Sequence, residues 1–243
     1  MADLSVIVGA TGALGTAVVD AFAKRGDRVI AVARSRSGVS ELAAKYPGIV
    51  TGDTADMTSR QDVDDLWERI DRIGVPRWVV NAIGGYRGGK VVESTPDDFT
   101  AMMDLNLGTA WWSCRAAARR MASSPSPSAS SPSPSGGGQG GGIVNVSSRS
   151  ALVAEPGAAA YAIAKSGVIK LTEVLAAELK SAGVRVNVMV PAVIDTPENR
   201  KSLPEKVMQK AVAPAEIAAV ILYLCSDAAA AITGATVPAY GKY

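Results

Sequence analysis

The chain has 243 residues, of which 48% are hydrophobic and 20% are charged, and its formal net charge at pH 7 is +2. This balance is typical of a folded globular domain, and so small and scattered a charge argues against a nucleic-acid or membrane-surface partner. The absence of histidine excludes a histidine general base and histidine metal ligands. The two cysteines, Cys114 and Cys225, lack the spacing of a zinc site, so we expect no metal.

The compartment is inferred from the first residues, the apolar runs and the cysteines. The first residues, Met-Ala-Asp-Leu, lack a basic segment followed by an apolar run, so we expect no signal peptide. The apolar run at 217–225 is too short to span a bilayer. We expect Cys114 and Cys225 to be buried free thiols, with a single disulfide as the alternative. The sequence therefore predicts a cytoplasmic protein.

The first motif is a glycine-rich turn between a strand and a helix. A strand at residues 4–8 runs into Gly9-Ala-Thr-Gly-Ala-Leu-Gly15, and a helical stretch follows to about Arg25. Gly9 permits a tight turn, Gly12 lets backbone N–H groups approach a pyrophosphate, and Gly15 lets helix and strand pack closely. An ordinary βα turn is the alternative. The turn residues that we expect to bind a dinucleotide are Gly9, Thr11, Gly12, Ala13, Leu14 and Gly15.

The end of the second strand bears on the choice of cofactor. The strand at 28–33 ends in Ala33-Arg34-Ser35-Arg36, without the carboxylate that usually binds the ribose hydroxyls of NAD. Arg34, with Ser35 beside it, offers charge-assisted hydrogen bonds to a 2′-phosphate. The sequence therefore favours NADP(H), with NAD(H) less favoured. The alternative for Arg34 is a solvated loop charge.

Later strand ends add cofactor candidates. Asp53 follows a brief strand at 49–51, in a loop that we expect to face the adenine, although a turn or capping role is the alternative. The fourth strand, 78–82, runs into a loop with four glycines, which indicates close approach of a ligand to the backbone. The sixth, 184–190, runs into PAVIDTP. The cofactor candidates at these strand ends are Asp53, Thr54, Asn81, Ala82, Gly84, Pro191, Ala192, Ile194 and Thr196.

The strongest candidates for chemistry are Tyr161 and Lys165. They lie four residues apart in a helical stretch at 160–180, so they share one face. A free phenol, with a pKa near ~10, is a poor proton donor at neutral pH, and a neighbouring ammonium lowers that pKa. The phenol then becomes a usable general acid or base. Ser148, after a strand at 143–146, is placed to orient a substrate oxygen. For the pair alone, a solvated lysine and a half-buried tyrosine are the alternative.

Two features of the middle of the chain complete the pattern. A long helix is predicted over 97–121, and Asn106 inside it needs a hydrogen-bonding partner if it faces inward; a solvent-facing side chain is the alternative. Residues 122–142 are rich in Ser, Pro and Gly. We interpret 122–142 as a disordered insertion in one domain spanning 1–243, at the sheet edge opposite the ligands.

Taken together, these motifs resemble the short-chain dehydrogenase/reductase family. The resemblance is carried by GATGALG from Gly9, NAIG from Asn81, LNLG around Asn106, IVNVSS, YAIAK, and VNVMVPAVIDTP at 186–197. It implies an α/β fold: a single Rossmann-type, doubly wound parallel sheet of about seven strands, flanked by helices. It also implies a homodimer or homotetramer formed through the long helices at 97–121 and 159–180.

The resemblance further implies a catalytic tetrad. Its members are Asn106, Ser148, Tyr161 and Lys165. In that scheme Tyr161 exchanges the proton and Ser148 steadies the substrate oxygen. Lys165 binds the nicotinamide ribose and lowers the pKa of Tyr161, while Asn106 holds a water in the proton relay. The implied activity is reduction of a ketone or similar carbonyl of a small-molecule substrate, with NADPH as the cofactor.

Within the family, two stretches are similar to dihydropteridine reductases: GGYRGG at 84–89 and DTPENRKSLPE at 195–205. The chain departs from that group in having Arg34 where an acidic residue is usual, and in having Ser148. A second hypothesis is therefore reduction of a quinonoid pterin or conjugated imine. A third is a non-catalytic NADP(H)-binding sensor.

Overall fold

A computed structural model of the chain describes residues 2–123 and 140–243. Most of the predicted insertion at 122–142 lies outside these residues. At its borders, the preceding helix continues to Ser123 and the following strand begins at Gly142, so the ends of the predicted insertion belong to regular structure. The single-domain organisation stays a prediction.

The described residues contain one sheet of parallel strands in the order β3-β2-β1-β4-β5-β6-β7. This confirms the predicted α/β class with a doubly wound parallel sheet of about seven strands. The strand order reverses between β1 and β4, and ligands of such sheets bind in the crevice outside the carboxyl ends at this point. The strands are β1 (Leu4–Val8), β2 (Arg28–Ala33), β3 (Val50–Thr54), β4 (Trp78–Asn81), β5 (Gly142–Val146), β6 (Arg185–Pro191) and β7 (Thr236–Ala239).

Helices cover both faces of the sheet. Along β1, Val6 and Val8 point to a core shared with helices α3, α5 and α6, whereas Ile7 points to a second core shared with α1, α2 and α9. Because successive side chains of a strand alternate between faces, a strand covered on both sides is apolar throughout. The helices are α1 (Ala13–Arg25), α2 (Arg36–Lys45), α3 (Arg60–Asp71), α4 (Pro96–Met102), α5 (Thr109–Ser123), α6 (Ala159–Glu178), α7 (Pro197–Ser202), α8 (Glu205–Met208) and α9 (Pro214–Leu224).

Local signals in the sequence explain several helix ends. Ser59 accepts a hydrogen bond from the backbone N–H of Asp62 and caps α3. Thr95 and Asp98 form a reciprocal capping box at the start of α4. At the other end of α1, Gly26 adopts a left-handed conformation with φ of 94°, which terminates the helix. These residues fix where α3 and α4 begin and where α1 ends.

The predicted long helix at 97–121 is wrong in one respect. A π-helical turn, Met103–Gly108, separates α4 from α5, and the N–H of Thr109 bonds to the carbonyl of Asp104, five residues back. Such wide turns occur frequently at functional sites. Asn106 lies inside this turn and is buried.

Every helix among the described residues is too short or too polar to cross a lipid bilayer. Cys114 and Cys225 are both buried free thiols, as the sequence predicts.

Candidate active site

Two adjoining cavities form a crevice at the carboxyl edge of the sheet. The first has a volume of about 380 Å³ and the second about 260 Å³. Both are lined by residues 82–85, which follow β4, so they adjoin along this loop. The first is bordered by the glycine turn after β1, and the second by the ends of β5 and β6. A crevice of this shape at the reversal of strand order has the place and extent of a dinucleotide site.

The glycine turn has the geometry that close packing requires. Gly9 has a φ of 86°, in the left-handed region that favours glycine, and a Cβ on Gly9 would meet the backbone of Ala82 and Ile83 at 2.9 Å. A Cβ on Gly15 would lie 2.0 Å from the carbonyl oxygen of Gly9. Helix α1 therefore starts directly against the turn, as the sequence predicts.

The N-terminus of α1 fits a phosphate group. Its N-cap is Gly12, and no side chain within the described ranges caps it. Its first turn contains no acidic residue, so its N–H groups and its positive dipole end face the first cavity without a competing carboxylate. Gly9, Thr11 and Gly12 line this cavity, while Leu14 lines the second. Ala13 and Gly15 line neither cavity, and only their backbone belongs to the turn.

The far end of the first cavity is lined by Arg34 and Asp56. Arg34 is exposed, at the end of β2, where the sequence places it. Asp56 accepts hydrogen bonds from the backbone and the hydroxyl of Thr58 at 2.9 and 2.7 Å, and these bonds lower the pKa of its carboxyl. Ser35 caps α2 by accepting from the N–H of Gly38 at 3.2 Å. A basic side chain and a carboxylate thus lie together at this part of the cavity.

The placement of Asp53 and Thr54 in a cavity-facing loop is wrong. Both belong to β3, which is longer than the predicted strand because it continues through polar residues. The carboxylate of Asp53 pairs with Arg69 at 2.9 Å, and Arg69 also donates to the carbonyl of Thr54 at 3.1 Å. The carboxylate that faces the cavity is Asp56, which the sequence reasoning missed.

The side chain of Asn81 also differs from its predicted cofactor role. It is buried in the core, where its amide nitrogen donates to Asn145 at 2.8 Å and its oxygen accepts from Ser113 at 2.6 Å. Asn145 in turn donates to Thr172 at 2.9 Å. The four side chains join β4, β5, α5 and α6 behind the crevice. Asn81 therefore holds the scaffold together, while Ala82 and Gly84 after it line the crevice.

Ser148, Tyr161 and Lys165 converge on the second cavity. Ser148 follows β5, and the other two lie one turn apart on α6, as their spacing predicts. Lys165 is only 3% exposed, and its Nζ donates to the carbonyl of Val146 at 3.0 Å. Burial lowers the pKa of Lys165 to about 8. The lysine is thereby fixed between the end of β5 and the phenol of Tyr161, whose ring centroid is 5.9 Å from Nζ.

The predicted lowering of the Tyr161 pKa is wrong for this structure. Burial raises the pKa of the phenol above its usual value, and interaction with the Ser148 hydroxyl opposes that rise. The nearby charge of Glu155 acts in the same direction as burial. The spacing of the two residues indicates the neighbouring ammonium, but it does not indicate the loss of water around the phenol, which disfavours the phenolate. The phenol is therefore held in its protonated form at neutral pH.

Asn106 faces inward and is 1% exposed. Its side-chain oxygen accepts from the N–H of Gly85, and its amide nitrogen donates to the carbonyls of Gly85 and Met102 at 3.0 and 3.1 Å. A Cβ on Gly84 would lie 3.1 Å from this oxygen and 2.8 Å from Nζ of Lys165. Asn106 therefore positions the loop that both cavities share. The structure leaves its predicted water-holding role untested.

The loop after β6 closes the second cavity. Pro191, Ala192, Ile194 and Thr196 line it, as predicted, together with Asn199. Thr196 caps α7 by accepting from the N–H of Asn199, whose side chain donates to the carbonyl of Ile194 at 2.8 Å. Two short helices, α7 and α8, follow this loop and are separated by Leu203 and Pro204.

The ring of Tyr86, in the glycine-rich loop after β4, also lines the second cavity. Its centroid is 5.2 Å from that of Tyr161, with an angle of 89° between the planes. The two residues are distant in the chain, and no local pattern links them. The flanking glycines and the resemblance of GGYRGG at 84–89 to dihydropteridine reductases mark this loop in the sequence, but neither predicts the contact between the two rings.

The fold and the site together define a class of protein. A doubly wound parallel sheet carries a glycine turn and, in the adjoining cavity, a serine, a phenol and a buried lysine. This arrangement is that of a nicotinamide-dependent oxidoreductase.

Comparisons with known proteins identify the family. A family model described as enoyl-(acyl carrier protein) reductase matches residues 9–241. The D-threitol dehydrogenase of Mycolicibacterium smegmatis is 32% identical, over 99% of this chain and 92% of its own. The 3-oxoacyl-(acyl-carrier-protein) reductase of Thermotoga maritima is 31% identical, over 94% and 92%. A solved short-chain dehydrogenase/reductase family protein superposes with a TM-score of 0.86 at 26% identity, covering 98% of this chain and 95% of the other.

The chain belongs to the short-chain dehydrogenase/reductase family and is an NAD(P)H-dependent oxidoreductase that acts on a small-molecule substrate.

Proposed function

We propose that this enzyme reduces a ketone or similar carbonyl group with NADPH, and that Tyr161 is the proton donor. The observation that carries the proposal is the meeting of Tyr161, Ser148 and Lys165 in a cavity that adjoins the one beside the glycine turn. NADPH, when bound, supplies the hydride that the carbonyl carbon accepts. The reactions named for the relatives interconvert carbonyls and alcohols, which agrees with this chemistry.

Residues of the first cavity would hold the cofactor. The N-terminus of α1 suits the pyrophosphate, and Arg34 suits a 2′-phosphate because guanidinium and phosphate form charge-assisted hydrogen bonds. The sequence Ala33-Arg34-Ser35-Arg36 contains no carboxylate at the end of β2 that would prefer ribose hydroxyls. These features support NADPH over NADH.

The proton chemistry belongs to the second cavity. Ser148 is placed to donate a hydrogen bond to the substrate oxygen and orient it toward Tyr161. As the carbonyl carbon gains hydride, the oxygen takes the phenolic proton, so the C=O bond becomes CH–OH and Tyr161 is left as a phenolate. Tyr161 carries the transferable proton at neutral pH, but burial raises its pKa and so opposes release of that proton, which is why a neighbouring positive charge is needed. The positive charge of Lys165 stabilises the phenolate until a proton is restored.

Replacing Tyr161 by Phe tests the proposal directly. Because the variant lacks the transferable proton, we expect kcat to fall about 100- to 10,000-fold. The dissociation constant for NADPH should stay within about twofold of the wild-type value. Tyr223→Phe, on α9, is the matched control and should retain full activity. A near-normal kcat in Tyr161→Phe would reject the assignment.

The other functional hypotheses have distinct outcomes. Reduction of a quinonoid pterin, suggested by the loop at 84–89, predicts rapid turnover of a dihydropteridine with little effect of Ser148→Ala. Carbonyl reduction predicts a large loss of kcat in that variant. A cofactor sensor predicts tight NADPH binding without turnover of ketones, quinones, imines or pterins.

We also propose a homodimer or homotetramer. Exposed apolar side chains on α4, α5 and α6 support this assembly: Phe99, Trp111, Ile163 and Val174. Multi-angle light scattering measures the mass in solution, and a monomer would overturn the assignment. A cytoplasmic location stays a prediction from the sequence.

A further inference from the structure

The rings of Tyr86 and Tyr161 form two adjacent walls of the substrate cavity. Both residues line it, and their planes meet at 89° with centroids 5.2 Å apart. Edge-to-face contacts of this kind are favourable and directional. A substrate whose oxygen reaches the hydroxyl of Tyr161 in this cavity therefore has the ring of Tyr86 within reach.

The ring of Tyr86 is positioned by the glycine loop and yet is accessible. A Cβ on Gly88 would lie 2.7 Å from the hydroxyl oxygen of Tyr86 and 3.4 Å from the carbonyl oxygen of Gly157. The absence of that Cβ gives the tyrosine room to lie against the loop. The residue is nevertheless 63% exposed, so much of the aromatic surface is open to solvent at the cavity. Covering it with an apolar ligand would be favourable.

Several polar groups of this cavity are partly engaged within the protein. Ser147 donates to the carbonyl of Lys165 at 2.8 Å. Asn199 donates to the carbonyl of Ile194, and the hydroxyl oxygen of Thr196 accepts from the N–H of Asn199. A polyol needs many hydrogen-bonding partners when it leaves water, because unsatisfied hydroxyls are costly. These bonds leave fewer partners for the several hydroxyls of a polyol than a single reducible oxygen needs.

Apolar side chains are also exposed on the chain segments that follow Tyr86 and Ser148. Val91 is 71% and Val92 is 91% exposed, on the segment that carries Tyr86. Leu152 is 51% exposed, on the segment that begins at Ser148. These side chains do not line the cavity itself but add exposed apolar surface on the two segments that lead from Tyr86 and Ser148.

We infer that Tyr86 is a specificity-determining residue, and that it selects carbonyl substrates carrying a flat aromatic or conjugated substituent. This inference rests on the proposed carbonyl reduction and names its substrate class. The aromatic face of Tyr86 packs against the planar substituent, while Ser148 and Tyr161 engage the oxygen. A saturated ring of the same size presents a puckered surface and makes poorer contact with the aromatic face.

The test uses acetophenone and cyclohexyl methyl ketone, which differ in the flatness of the ring. For each enzyme the quantity is the ratio of kcat/KM for the two ketones, so that intrinsic reactivity cancels between variants. We expect Tyr86→Leu to lower the acetophenone preference about three- to tenfold, the range of an aromatic contact. Tyr86→Phe retains the ring and should keep the ratio within about twofold. Tyr223→Leu, on α9, is the matched control and should do the same.

Binding is measured separately by saturation-transfer NMR of acetophenone with protein saturated with NADP⁺. Tyr86→Leu should weaken this binding by a similar factor. An unchanged ratio with both ketones slowed equally would overturn the inference, because Tyr86 would then support Tyr161 and not the substrate. If wild-type protein turns over neither ketone nor any other carbonyl, the proposed function fails. The NMR comparison still decides the role of Tyr86, since acetophenone binding unaffected by Tyr86→Leu would reject it.

Discussion

Asn106 and Gly85 exchange two hydrogen bonds, one in each direction. The N–H of Gly85 donates to Oδ1 of Asn106 at 3.2 Å, and Nδ2 of Asn106 donates to the carbonyl of Gly85 at 3.0 Å. The amide side chain thereby replaces the backbone partner that a strand would supply. The loop after β4, which both cavities share, is held at a fixed distance from the π-helical turn.

Replacing Asn106 by Leu should therefore damage both stability and turnover. The variant leaves the polar backbone groups of Gly85 without their partner, which costs about 1–3 kcal/mol of unfolding free energy. Displacement of the loop should lower kcat about 10- to 100-fold. Urea unfolding and steady-state kinetics measure the two effects. Asn106→Asp retains the acceptor for the N–H of Gly85 and should be less damaging; wild-type behaviour of the Leu variant would refute this role.

Gly84 should be intolerant of a methyl group. Its Cβ would lie 2.8 Å from Nζ of Lys165, which is buried and hydrogen-bonded and so has little room to move. We expect Gly84→Ala to lower kcat at least about tenfold by displacing the lysine or the loop. Gly89→Ala is the matched control on the same loop, because its Cβ would make only an ordinary contact, 3.6 Å from Ser94. Equal kinetics of the two variants would contradict the prediction.

Arg34 should determine the preference for NADPH. Reversing its charge with Arg34→Glu removes a charge-assisted contact and adds repulsion, so we expect the Kd for NADPH to rise about 10- to 100-fold. The Kd for NADH should be unchanged or lower. Arg36→Glu is the control, since Arg36 follows two residues later and does not line the cavity. Fluorescence titration with both cofactors measures the change, and equal weakening of NADH and NADPH would argue against a 2′-phosphate contact.

The buried charge of Lys165 should lower the unfolding free energy of the protein. Burial lowers its pKa from 10.5 to about 8, so a proton is bound less tightly in the folded chain than in the unfolded one. At pH 7 the charged form is buried at a cost of up to about 3 kcal/mol, and Lys165→Met should be more stable by up to that amount. Loss of the hydrogen bond to Val146 reduces the gain.

The difference in unfolding free energy between the wild type and Lys165→Met should depend on pH. Between pH 8 and 10.5 the unfolded lysine binds more protons than the folded one, so the stability of the wild type rises with pH relative to the variant. Urea unfolding of cofactor-free protein at pH 7 and at pH 10 measures this difference in unfolding free energy, which should become smaller at pH 10. Lys170→Met, an exposed position on the same helix, should change stability by no more than about 0.5 kcal/mol at either pH. A difference that grows with pH would contradict the assignment.

The sequence predicts well those features that depend on neighbours in the chain. The bounds of β1 and β2 match because each is an apolar run buried on both faces. The relation of Tyr161 to Lys165 follows from helical periodicity, and the turn at Gly9 from the conformational freedom of glycine. Each of these needs only a few consecutive residues.

Features that depend on distant contacts were not predictable in the same way. The partner of Asn81 is Asn145, on another strand, so its side chain could not be assigned to the core from the sequence. Strand β3 ends in polar residues, and its true length places Asp56 rather than Asp53 at the cavity. The raised pKa of Tyr161 depends on burial by several elements, which no spacing of residues expresses.

The π-helical turn at Met103–Gly108 separates two helices, α4 and α5, that have different packing partners. An extra residue in a helical turn rotates everything downstream by about 100° relative to a uniform helix. Helix α4 packs on α6, while α5 packs on α3 and also contacts α6. The extra residue therefore sets the rotation of α5 relative to α4. Deleting one residue from the turn would rotate the apolar face of α5 by about 100° relative to α4, so that α5 and Asn106 could no longer both keep their present contacts.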